Sequence, residues 1–144
     1  MVKGESLVSG DFGEGFVAYL LAKQGVDVVR AKTMGFDIFA IDHTGALFEK
    51  DKTVGVSVKT RISKHHARYV PTIPVGSRQI SEAALIWKVE PWLAIVVGSI
   101  GQKLACFLLP FKEHQKFTGH ATRKDVLAVS ELYSDTTRIV KRLW

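Results

Sequence analysis

The chain has 144 residues, 47% of them apolar, which suits one domain with a real core and excludes a disordered polyelectrolyte. Its 20 Lys and Arg outnumber 14 Asp and Glu, and the net charge of +6 favours a polyanionic partner, nucleic acid first and an anionic membrane surface second. The single cysteine, Cys106, excludes an intramolecular disulfide and any two-cysteine metal motif, and within KLACFLLP it reads as a small buried hydrophobe.

MVKGESLVSGDFGEG has no apolar signal core. GDFGEGFVAYLLAKQG reads as a helix, with Phe12, Phe16 and Leu20 at i, i+4 and i+8, Val17 and Leu21 widening the stripe, and Gly25 as a stop. VDVVRA is a short strand. GFDIFAID is a second, with Asp37, Phe39 and Ile41 on one face and Phe36, Ile38 and Ala40 on the other. DHTG is a turn, and ALFEKDKT is either a strand extension or a polar excursion. VGVSVKTR is the third strand. ISKHHARYVPTIPVG reads as a long loop. SRQISEAALIWKVE is a second helix, with Ser77 or Ser81 as cap. PWLAIVVGSI and QKLACFLLP are two apolar strands, each too short to span a bilayer as a helix. FKEHQKF reads as helical, and RKDVLAVSELYSDTTRIVKRLW has no clear assignment.

The expected fold is therefore α/β, a central mixed β-sheet flanked by helices in the order α-β-β-β-α-β-β-tail. Residues 1–144 form one domain in this reading, with a core over 1–110 and a helical or irregular tail over 111–144. The expected setting is cytoplasmic, without a membrane partner.

Three charged residues stand where apolar ones would suit the pattern. Glu14 shares a helix face with Val17 and Leu21. Asp37 shares a strand face with Phe39 and Ile41. Lys59 lies beside Ser57, opposite Val54, Val56 and Val58. A charge at the margin of a core is costly unless it is paired or metal-bound, and bringing the three together offsets that cost. Carboxylates with a backbone carbonyl make a hard oxygen site for Mg²⁺, which can activate water on a phosphodiester, and a lysine can steady the developing charge. A small-molecule enzyme is disfavoured, since no glycine-rich phosphate loop or Ser-His-Asp arrangement is visible, and no small-molecule cofactor is expected.

The ordered set of a helix glutamate, GFDIFA, a strand ending in SVKTR, a helix and two apolar strands resembles the PD-(D/E)XK nuclease superfamily. Within it, the arrangement is similar to the archaeal Holliday-junction resolvases and Mrr-like restriction endonucleases. The resemblance runs from GDFGEG to LLP and leaves the tail uncovered. It implies the restriction-endonuclease-like fold and a Mg²⁺-dependent endodeoxyribonuclease, with Mn²⁺ as substitute, acting on DNA as a homodimer. It further implies Asp37 as principal metal ligand, Glu14 as its assistant, the Val58 main-chain carbonyl as another ligand, and Lys59 serving the water or transition state.

Ser57 departs from that pattern, because the family carries Glu, Asp or Gln there. Glu14 can move in as a direct ligand. Alternatively, Glu49 or Asp42 can reach the metal, or the protein binds nucleic acid without cutting it. KTRISKHHARY contains no acid, so Arg61, Lys64, His65, His66 and Arg68 are candidate contacts to a DNA backbone, which Arg30 and Lys32 would extend.

Overall fold

The computed structural model describes residues 3–63, 72–99, 103–119 and 125–144. In chain order these form α1 (Lys3–Lys23), β1 (Asp27–Arg30), β2 (Ile38–Ile41), β3 (Thr53–Ser63), β4 (Thr72–Pro74), α2 (Ser77–Trp87), β5 (Glu90–Ser99) and β6 (Ala105–Pro110). A 3₁₀ helix (Phe111–Phe117), β7 (Val126–Ala128), α3 (Val129–Tyr133) and β8 (Lys141–Arg142) follow. Six strands make one sheet in the order β1-β2-β3-β5-β6-β8, and β4 pairs with β7 in a separate ribbon. The β3–β5 pair is parallel and the other pairs are antiparallel, so the sheet is mixed as expected.

The central strands β5 and β6 are apolar on both faces because both faces are covered. Trp92, Ala94 and Val96 pack with Val17, Leu20 and Leu21 of α1. Leu93, Ile95 and Val97 pack with Ile80 and Ala83 of α2. Cys106 is fully buried and free. Helix α1 buries Gly13, Val17, Leu20 and Leu21, whereas Phe12 is 44% exposed and stacks on Phe16. The buried stripe is thus rotated from the one expected through Phe12. The cause is Gly13, which lacks the side chain that would collide with Thr60 and so lets α1 settle onto β3.

ALFEKDKT is neither strand nor free excursion. The Asp42 carboxylate, fully buried, accepts five hydrogen bonds from Thr44, Gly45, Leu47 and Phe48 and winds the segment into a tight loop. The tail, read as helical or irregular, also supplies β7 to the small ribbon and β8 to the sheet edge beside β6. Strands of two or three residues are too short to display a period. No helix among the described residues is long and apolar enough to cross a membrane.

Candidate active site

Strand β3 outruns its neighbour. β2 pairs with it only over Thr53–Val56, while the β5 side stays paired through Ser63, so beyond Val56 one edge of β3 is open among the described residues. Asp37 sits at that opening, just before β2. Its N–H donates to the Val56 carbonyl at 2.9 Å, and its Oδ2 accepts the Val58 N–H at 2.7 Å. The side chain continues the ladder where the strand stops. Strand geometry puts the Val58 carbonyl on the same open edge as its N–H.

Glu14 and Lys59 approach Asp37 from opposite sides of the sheet. Glu14 comes from α1 and stands close enough to Asp37 for the two carboxyl groups to interact. It also receives Arg30 Nη2 at 3.3 Å, and Arg30 pairs with Asp11 at 2.9 Å as well. Lys59 comes from the α2 side, in register with Ile95, and a methyl built on Gly76 would lie 3.8 Å from its Nζ.

Burial raises the Asp37 carboxyl to about 6, and Glu14 pushes the same way against the Val58 N–H and the Lys59 charge. Burial lowers the Lys59 ammonium, against the attraction of Asp37 and Asp125. Two carboxylates therefore meet at one half-buried corner, Glu14 paired with Arg30 and Asp37 attracted by Lys59, and a main-chain oxygen lies beside them. These hard oxygen donors suit a small divalent cation that keeps several waters. Among the described residues, no group of three or more His, Cys, Asp or Glu converges to hold a metal.

Ser57 is 2% exposed and lies in register with Leu93 on the α2 side, contributing no charge. The suggestion that Asp42 or Glu49 fills its place does not hold. Asp42 is sealed within its own loop, which follows the far end of β2, and Glu49 in that loop pairs with Lys52 at 2.6 Å. Glu14 is the acid that stands next to Asp37.

Arg61 is exposed on the overhanging end of β3. Lys32 is exposed and, with Asp11, Glu14, Arg30 and Ala31, lines a cleft of about 290 Å³. Arg30, expected on phosphate, has its guanidinium held by two carboxylates. Lys64, His65, His66 and Arg68 lie outside the described residues.

The sequence pattern gives no sign of Asp125. It accepts hydrogen bonds from the Ser77 N–H at 3.2 Å and from the Ser77 hydroxyl, which caps α2 in place of a local side chain. The N-cap residue itself is Gly76, in the left-handed region at φ 71°, and Ser77 is the first helical residue. Nothing near Asp125 in sequence marks this role, because its partner is 48 positions away.

The mixed sheet flanked by helices is an architecture shared with a solved structure. One such structure is Hjc of Archaeoglobus fulgidus, a Holliday junction resolvase from an archaeal hyperthermophile. It matches with a TM-score of 0.55 at 17% identity, over 85% of each chain. At that identity the likeness establishes the fold. No family model matches the sequence, and no curated protein matches it.

Proposed function

We propose that this chain binds DNA and hydrolyses its phosphodiester bonds with the help of Mg²⁺, for which Mn²⁺ can substitute. The observation that carries the proposal is the Asp37 carboxylate docked on the Val58 N–H at the open edge of β3, with Glu14 and Lys59 on either side. Asp37, Glu14 and the Val58 carbonyl would hold the metal. Bound there, Mg²⁺ would supply a Lewis acid for the scissile phosphate and lower the pKa of a water. Lys59 orients the attacking water and offsets charge developing on the phosphorane oxygens. Glu14 is held in place by Arg30. Arg61 and Lys32, with Lys64, His65, His66 and Arg68, would follow the DNA backbone, and the active species would be a homodimer.

The test is cleavage of labelled DNA with Mg²⁺ or Mn²⁺. A four-way junction comes first, because the structural neighbour is a Holliday junction resolvase. Flap and duplex substrates follow. The wild type should cut at least one of them, and Asp37→Ala should lower the rate at least a thousandfold, on the order of losing a principal catalytic group. A wild type that cuts none of these with either metal overturns the nuclease reading. The second reading, a non-cutting DNA-binding module on the same fold, is favoured by the uncharged Ser57. It predicts that the wild type binds but does not cut, and that Ser57→Glu gains cleavage.

A further inference from the structure

We propose that Asp125, contributed by the tail, is a positioning residue for Lys59. The consequence for catalysis rests on the nuclease reading. The placement does not.

Asp125 is fixed at both carboxylate oxygens: Oδ1 by the Ser77 hydroxyl, Oδ2 by the Ser77 N–H at 3.2 Å. Its own carbonyl accepts the Val75 N–H at 3.1 Å, which ties the residue to the strand end before α2. Ser77 is held in turn by His114, whose Nε2 lies 3.2 Å from the hydroxyl. His114 is 5% exposed, its Nδ1 lies 2.7 Å from the Phe111 carbonyl, and its ring stacks on Phe111. The carboxylate is thus anchored through a rigid chain of contacts on the Gly76–Ser77 turn.

Lys59 ends against that same turn. Gly76 has no side chain, and the space that a methyl would take is 3.8 Å from the Lys59 Nζ. By itself this is a poor place for a cation, since the first turn of a helix presents free N–H groups and the positive end of its dipole. A carboxylate bound to those N–H groups reverses the local sign. Asp125 on the turn and Asp37 at the sheet edge both attract the Lys59 charge without forming a direct ion pair with it.

Asp125→Asn keeps an acceptor for the Ser77 N–H and removes the charge. With Mg²⁺ and cleavable DNA, kcat should fall roughly ten- to a hundredfold, with KM within about twofold of wild type. In a Lys59→Ala background the same change should add almost nothing, because both substitutions remove one interaction. Unchanged kcat in Asp125→Asn, or an equal loss with and without Lys59, overturns the proposal and leaves the nuclease reading intact. If the wild type does not cut, the placement is read by NMR from the two ε-methylene protons of Lys59. They should be distinct in the wild type and merge in Asp125→Asn as the side chain becomes mobile; an unchanged spectrum overturns the proposal. Should Asp125→Asn fail to fold, Ser77→Ala removes only the hydroxyl anchor. It should then lower kcat and merge the Lys59 signals in the same way, and no change in either overturns the proposal.

Discussion

At the scale of single residues, a fully buried aspartate and a half-buried one are set apart by their surroundings. Asp42 has five donors around it, so its carboxyl titrates well below the usual range despite complete burial. Its stabilising effect is present above the ordinary carboxylate pKa and is lost as pH falls. Asp42→Ala leaves several buried N–H groups unpaired and should cost roughly 3–5 kcal/mol at pH 7 by urea denaturation. Asp37 has one backbone donor, and burial with Glu14 beside it lifts its carboxyl to about 6. The folded state then holds that proton more tightly than the unfolded chain, so stability declines as pH rises from about 4 to above 6. Asp37→Asn removes that slope, and in metal-free buffer it should stabilise the protein at pH 8 by up to about 3 kcal/mol and hardly at pH 4. Adding Mg²⁺ should raise the melting temperature of the wild type more than that of Asp37→Asn. The reverse order would place the metal elsewhere.

At the scale of elements, the candidate site depends on how closely α1 sits on β3. Gly13 is the contact, facing Thr60 one residue beyond Lys59, and Glu14 is its neighbour. Gly13→Ala gains about 1 kcal/mol of helix propensity, but the added methyl must displace a short β-branched side chain. The net effect should be destabilisation of about 1–2 kcal/mol, with part of it recovered by Thr60→Ala. A more stable Gly13→Ala variant would show that α1 has room to spare. Much of this level was legible in the sequence. The alternation in VGVSVKTR and the apolar runs of β5 and β6 encode their burial directly. The rotation of α1 was not legible, because a glycine at a close approach looks in sequence like any glycine.

At the scale of the whole molecule, the net charge of +6 says that a polyanion will be attracted and does not say where it will lie. Arg61 and Arg30 look equivalent in the sequence, yet Arg61 is exposed on an overhanging strand and Arg30 is engaged by Asp11 and Glu14. Arg61→Gln should therefore reduce the salt dependence of DNA affinity by about one phosphate contact, a change near 0.9 in the slope of log K against log salt. Arg30→Gln should leave that slope nearly unchanged. Fluorescence anisotropy across a salt series distinguishes the two, and equal slopes for both variants would mean that Arg61 does not face the DNA.

The sequence by itself determined the class of fold, the main elements and the three charged residues at the margin of the core, because burial on one side of a helix or strand is written as a local period. Only the tertiary structure decided which of those charges meet. β3 lies parallel to β5 and runs past β2, Arg30 turns back onto Glu14, and Asp125 reaches the turn beside Lys59 from the far end of the chain. Such meetings depend on packing between segments remote in sequence, and no local period records them. That is why the charged residues at the margin of the core could be seen in the sequence, while the partners that Arg30 and Ser77 find could not.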